Sequence, residues 1–265
     1  MFNRTARTAQ SVASMLRRVL IVDSNPDAAR ALGEMARAHG GPEIWSAQTG
    51  AKALKLAAKV DPQLIFCVFQ DGTVDGTAFA RALRRSDLAC RKAPVVLVTT
   101  EAGAHQVLAC RDAGAHEYLK RPFTSRDVAR RIEAALLPAR GWVEAVDYVG
   151  PDRRRFNSAE YPGPLKRLAD EPAPPQSVRV GEALKIIGSA LAAIDREPGQ
   201  ALRALQVQAT DLEAAAAEMG DNRLAAATRD LNRFLSETAG RPDHGELRHR
   251  AASLLSYAGR EARAA

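Results

Sequence analysis

Five short apolar runs, each followed by a stretch of helical periodicity, dominate the first half of the chain. The runs are Val19-Leu20-Ile21-Val22, Glu43-Ile44-Trp45, Leu64-Ile65-Phe66-Cys67-Val68, Val95-Val96-Leu97-Val98 and Glu117-Tyr118-Leu119. Helical spacing follows near 26–39, 50–59, 76–86, 104–113 and 125–137. Continuous β-branched runs are expected of parallel strands buried on both faces. Strand and helix alternating five times predicts an α/β fold, a doubly wound five-stranded parallel sheet. Ligand chemistry in such sheets sits at the carboxyl ends of the strands. Those ends fall at Asp23-Ser24, Val68-Phe69, Thr99-Thr100 and Lys120-Arg121-Pro122. Asn25-Pro26 opens the first helix, with proline in its first turn.

The rest of the chain has a different character. With 265 residues there is room for two domains. Residues 1–17 read as a flexible basic arm, and residues 18–137 as the α/β domain. Residues 138–178, rich in Pro and Gly and carrying Trp142, Tyr148, Phe156 and Tyr161, read as a linker without regular elements that docks on a surface. Residues 179–262 read as an antiparallel helical bundle. Its apolar positions, among them Leu184, Ile187, Leu191, Leu205, Leu212, Leu224, Leu231 and Leu254, fall at helical spacing, with breaks at Gly220-Asp221 and Gly240-Arg241-Pro242-Asp243.

Charge and cysteine content narrow the function. The net charge is +7, and the first 18 residues hold four arginines and no acid. Beyond them acids and bases nearly balance, and Lys120, Arg121, Arg126, Arg130 and Arg131 are the main basic concentration. This argues against nucleic acid as the partner. Cys67, Cys90 and Cys110 show neither disulfide-framework nor metal-ligand spacing, which fits a reducing compartment. No apolar run approaches the roughly 20 residues a membrane helix requires, so no membrane association is expected and the expected location is cytoplasmic. No protease, hydrolase, nucleotide-binding or dinucleotide motif is present.

Several motifs in order make the first domain resemble the bacterial response-regulator receiver (CheY-like) family over its full length. They are Val19 to Pro26, Pro62 to Phe69 followed by Asp75-Gly76, Pro94 to Thr99, Ala113-Gly114-Ala115 and Pro122-Phe123. The resemblance implies an aspartate at the end of the third strand that accepts phosphoryl, and two acids after the first strand that hold Mg²⁺. It also implies a lysine, and a hydroxyl after the fourth strand that reports the phosphate. This chain departs from that pattern. The acceptor place is Val68, the second acid is Ser24, and the basic place before a proline expected to be cis is Arg121. Asp23 and Thr99 remain. With one carboxylate left, Asp23 is expected to act as a helix cap, with no metal and no cofactor. Asp71, three residues past Val68, lies too far along the loop for in-line transfer.

Thr210-Asp211-Leu212-Glu213 through Gly220 to Leu224 is similar to the signature helix of histidine phosphotransfer domains, with Thr210 in the histidine place; any Ala/Leu hairpin with a Gly turn scores partly as well. Together these departures imply a pseudo-receiver that is not an enzyme and works as a phosphorylation-independent adaptor or scaffold in two-component signalling. The implied partners are a histidine kinase, a phosphotransfer protein or a receiver target, and the bundle is a candidate for homodimerisation. Two alternatives stand beside it: a receptor for an anionic nucleotide such as cyclic di-GMP, bound through Arg153, Arg154 and Arg155, and an atypical phosphoacceptor using Asp71.

Overall fold

The computed structural model describes residues 10–137, 140–153, 175–238 and 241–264, without side-chain detail for 175–177 and 258–264. The chain divides into two compact units. One comprises Met1–Val143 with Tyr148–Gly163; the other comprises Glu144–Asp147 with Pro164–Ala265.

The first unit is the expected parallel sheet. Its strands are β1 (Arg18–Val22), β2 (Glu43–Ala47), β3 (Leu64–Val68), β4 (Val95–Thr99) and β5 (Glu117–Lys120), in the order β2-β1-β3-β4-β5. Every neighbouring pair is parallel. The helices are α1 (10–15), α2 (Pro26–Arg37), α3 (Gly50–Val60), α4 (Gly76–Arg85), α5 (Ala104–Asp112) and α6 (Ser125–Leu136). All five residues of β3 and of β4 are buried. Their side chains alternate between two cores, which is what a two-sided β-branched run demands. One core joins Leu20, Ile65, Cys67 and Leu97 to α3 and α4; the other joins Ile21, Phe66, Val96 and Val98 to α2 and α6.

Two expectations need correction. Within the supposed basic arm, residues 10–15 are helical, and Val12 and Leu16 are buried against Val19 and Ile21. A helix of under two turns is too short for its packing face to show as a period in the sequence. Residues 1–9 lie outside the described residues. The supposed irregular linker contains β6 (Trp142–Glu144) and β7 (Val149–Pro151), which pair with each other, and helix α7 begins within it at Pro175. Three-residue strands are too short to show a period.

The second unit is a four-helix bundle of α7 (Pro175–Ala193), α8 (Pro198–Met219), α9 (Asn222–Glu237) and α10 (His244–Ala264). Each helix packs on the next, and α10 returns to α7. Alanine supplies much of the seam: Ala201, Ala204, Ala209, Ala215 and Ala216 are buried beside Leu205 and Leu212. Gly220, at φ 69°, closes α8 in the left-handed conformation, and Asp221 caps α9 through the N–H groups of Arg223 and Leu224. The strap Glu144–Asp147 is bound into this unit: Gln200 donates through Nε2 to Glu144 Oε1 at 3.0 Å and to the Ala145 carbonyl at 3.0 Å.

Candidate functional site: the carboxyl edge of the sheet

The parallel register brings the ends of β1, β3, β4 and β5 to one edge. Val22 pairs with Cys67, Val68 with Val98, and Thr99 with Lys120. Asp23, Val68, Thr99 and Arg121 therefore converge as expected, although up to 98 residues separate them in the chain.

Asp23 is buried, and both of its oxygens are engaged. Oδ2 accepts from Arg121 Nη2 at 2.6 Å, and Oδ1 accepts from the Asn25 N–H at 3.0 Å. The expectation that Asp23 caps the first helix is not met. Asn25 caps α2, its Oδ1 accepting from Asp27 and Ala28, and Pro26 takes the first helical position. The asparagine sits one turn-step nearer the free N–H groups, which leaves Asp23 to the guanidinium. The Arg121–Pro122 bond is cis.

Val68 is 5% exposed and lies in an apolar core cluster with Cys67, Val74 and Leu97. Gly76 lies against it so closely that a β-carbon there would stand 2.1 Å from the Val68 carbonyl oxygen. Glycine is required by that approach. Beneath the edge, burial pushes the Cys67 thiol well above its ordinary range, and the carboxylates of Asp23, Asp71 and Asp75 push it the same way. A thiol so held is no nucleophile.

Asp71 comes nearer to this edge than its place in the loop suggests. Its Oδ2 accepts from the Ser24 N–H at 3.2 Å, across 47 residues. Its Oδ1 accepts from Thr73 and Val74 at 3.0 and 2.7 Å, closing a turn. Partial burial opposes ionisation, but the hydrogen bonds from Ser24, Val74 and Thr73 outweigh it and hold the carboxyl below its usual range. Asp75 caps α4, and its bonds from Ala78 and Thr77 also lower it. Thr99 Oγ1 is turned into its own loop, donating to the Glu101 carbonyl at 2.6 Å and accepting from the Glu101 N–H at 3.1 Å.

Magnesium wants near-octahedral oxygen donors and a net negative cage. The donor set here does not fit it. Val68 supplies no oxygen, Asp23 is neutralised by Arg121, and the Asp71 oxygens already accept three backbone N–H groups. Among the described residues no cluster of three metal-ligating side chains occurs.

Residues 19–133 match the family model described as the response regulator receiver domain. Residues 19–133 are a receiver domain. The chain is similar to the transcriptional regulatory protein PdtaR of Mycobacterium tuberculosis, 32% identical over 133 residues, covering 50% of this chain and 62% of that protein. It is similar to the transcriptional regulatory protein PrrA of Mycobacterium leprae, 32% identical over 119 residues and 45% of this chain, and spans about half, 49%, of that relative's length. Chemotaxis protein CheY1 of Helicobacter pylori is 25% identical over 120 residues, covering 45% of this chain and 96% of that one. Among solved structures, the Vibrio cholerae chemotaxis protein CheY4 aligns with a TM-score of 0.43 at 22% identity, covering 46% of this chain and 99% of that chain.

Away from this edge, the receiver domain carries charged residues whose burial the sequence did not reveal. Glu117, at the amino end of β5, is fully buried between Arg131, at 3.2 Å, and Arg140. Burial raises its carboxyl above the ordinary range, while Arg140 and Arg131 draw it down. Arg140 also donates to the carbonyls of His116 and Ala134, at 2.7 and 3.0 Å. Arg84 is fully buried as well. It donates to the carbonyls of Gly114, Arg91 and Ala93 at 3.0, 2.6 and 2.9 Å, with the Trp142 ring 5.4 Å away. Burial lowers its pKa to about 9. The available signal was an arginine, Arg84, one turn after the core position Ala80 in α4.

Arg153 does not stand free for a ligand. Its guanidinium lies 3.8 Å from the Tyr148 ring centroid and 3.4 Å from Asp112 Oδ1. Arg154 and Arg155 lie outside the described residues. Thr210 is exposed on α8, its hydroxyl donating to the Gln206 carbonyl at 2.9 Å. Among the described residues no helix is long and apolar enough to cross a membrane.

Proposed function

We propose that this receiver domain is a pseudo-receiver and that the protein acts as a phosphorylation-independent adaptor, docking signalling proteins such as a histidine kinase or phosphotransfer protein. The observation that carries the reading is the Asp23–Arg121 pair at 2.6 Å beside a buried Val68. A fixed guanidinium supplies the positive charge that the edge would otherwise take from a metal, and the acceptor place holds a side chain without a nucleophile. The edge is thereby held in one electrostatic state. Thr210 extends the reading to the bundle, since a hydroxyl cannot form a phosphohistidine.

Incubation of the whole protein with acetyl phosphate and Mg²⁺, followed by intact-mass spectrometry, tests it. An unmodified mass is expected. A second reading has one observation behind it, the Ser24 N–H bond that brings Asp71 to the edge. A phosphoryl adduct that disappears in Asp71→Asn would overturn the pseudo-receiver and establish that reading. The nucleotide-receptor alternative has less support, because Arg153 is spent on Tyr148 and Asp112. Calorimetric binding of cyclic di-GMP, abolished by Arg154→Ala with Arg155→Ala, would restore it.

A further inference from the structure

The lateral margin of the sheet at β2 is built differently from the carboxyl edge. β2 pairs with β1 alone, so it is an edge strand. Its ladder bonds are made by alternate residues: the Glu43 N–H donates to the Arg17 carbonyl at 2.8 Å, and the Ala47 carbonyl accepts from Asp23 at 3.1 Å. Parallel pairing then turns the N–H and C=O groups of the intervening residues, Ile44 and Ser46, outward. An open strand of this kind is a template for another chain, and proteins usually blunt it with lysine, proline or a bulge in the strand itself. Glu-Ile-Trp-Ser-Ala has no lysine, proline or bulge, and its one charge, Glu43, stands at the first position, outside the Ile44–Ser46 stretch whose groups face outward.

Beside the strand runs a groove of about 460 Å³ lined by Ser46, Ala47, Gln48, Lys52, Lys55, Leu56 and Lys59. The three lysines stand at spacings of three and four on α3, hence on one stripe. Among the described residues none of them makes an ion pair, and all are exposed. Trp45 faces the same way: it is in register with Leu20, whose cluster includes Ala53 and Ala57 of α3, yet the indole is 39% exposed.

We propose that the β2–α3 margin is a docking site for an extended, acidic segment of a partner protein, added to the sheet as a sixth strand. Main-chain bonds to Ile44 and Ser46 would hold it, as in other strand-addition modes. Every second side chain of an extended segment points the same way, at a repeat of about 6.7 Å. Lysines three and four residues apart on a helix are separated by a rise of about 4.5 to 6 Å. Carboxylates at alternate positions of the segment thus meet the lysine stripe on the face of Trp45, and apolar residues between them lie on the other face, beside Ile44. The proposal is independent of whether the Asp23–Arg121 site accepts phosphoryl, since it uses the outward groups of Ile44 and Ser46 and the side chains of α3. The acetyl phosphate experiment reads that edge, and the experiment below reads only β2.

A displayed library of random twelve-residue peptides is selected on the full-length protein, and the enriched peptides are measured by fluorescence anisotropy. Enrichment of alternating Asp or Glu with β-branched residues is expected. Two variants then locate the binding. Ser46→Pro removes an outward donor at a position where an edge strand tolerates proline, and should weaken binding about fivefold, the worth of one hydrogen bond. Reversing the stripe with Lys52→Glu, Lys55→Glu and Lys59→Glu, each on an exposed helix face, should abolish it. Thermal unfolding of both variants checks that the fold is retained. Enriched peptides without acidic bias, peptides that bind both folded variants as tightly as wild type, or competition by an oligothymidylate as strong as by the peptide itself would each overturn the proposal. The last would instead identify the stripe as a nucleic-acid groove.

Discussion

At the residue scale, three positions carry consequences that can be measured. Gly76 cannot accept a β-carbon, because the backbone oxygen of Val68 occupies that space. Gly76→Ala should destabilise the receiver domain by about 2 kcal/mol through overpacking against backbone, read by urea unfolding. His116 is buried, and its pKa lies well below the ordinary 6.5 because burial disfavours its charged form and the guanidinium groups of Arg84 and Arg140 repel it. Its folded pKa is depressed, so between that value and 6.5 the unfolded chain binds more protons than the folded one. Stability is therefore full above pH 6.5 and is lost as the pH falls below it. The slope contributed by this one group is at most about 1.4 kcal/mol per pH unit. His116→Gln should flatten the acid limb of the stability–pH curve; an unchanged limb would assign it to other groups. At the sheet edge, Arg121→Ala leaves the buried Asp23 carboxylate without its cation. About 2 kcal/mol of destabilisation is expected, less than for a fully buried pair because Arg121 is itself partly exposed.

At the element scale, the segment after α6 is a structural part of the receiver unit. Arg140 reaches back to Glu117, and Trp142 covers the buried Arg84. The ring of Trp142 also lies near Arg91 and Lys92, at 5.9 and 5.5 Å. Arg140→Ala should cost about 3 kcal/mol, because it strips one of two cations from a carboxylate with no exposure to water. In the bundle, Asp221 caps α9 and accepts from the Tyr257 hydroxyl at 2.6 Å, tying α10 to the α8–α9 turn. Asp221→Ala should cost about 1–2 kcal/mol, measured as a lower midpoint of the bundle transition.

At the scale of the whole molecule, the two units have separate hydrophobic cores. Calorimetry should resolve two transitions, since each core can melt by itself. Arg140→Ala should lower one and Asp221→Ala the other; a single transition shifted equally by both would show that the units unfold together.

The five-stranded parallel sheet and the helical tail were legible in the sequence because their signals are periodic and local. Two-sided β-branched runs alternating with helical stretches describe interior parallel strands, and leucines at helical spacing across glycine breaks describe a helical hairpin series. The meeting of Asp23, Val68, Thr99 and Arg121 at the carboxyl ends of the strands was legible too, once the order of motifs gave the register. What was not legible depended on side chains meeting across the fold. That Asn25 and not Asp23 caps α2 depends on which side chain lies within reach of two particular N–H groups. That Asp71 reaches Ser24 depends on how one loop closes back over another. Glu117, Arg131 and Arg140 look like ordinary surface charges in a string of letters, because burial of an ion is decided by what covers it, and these three meet only when the chain after α6 folds back on β5. Periodicity determines which elements form; only packing decides which polar groups those elements remove from water and with whom they are left.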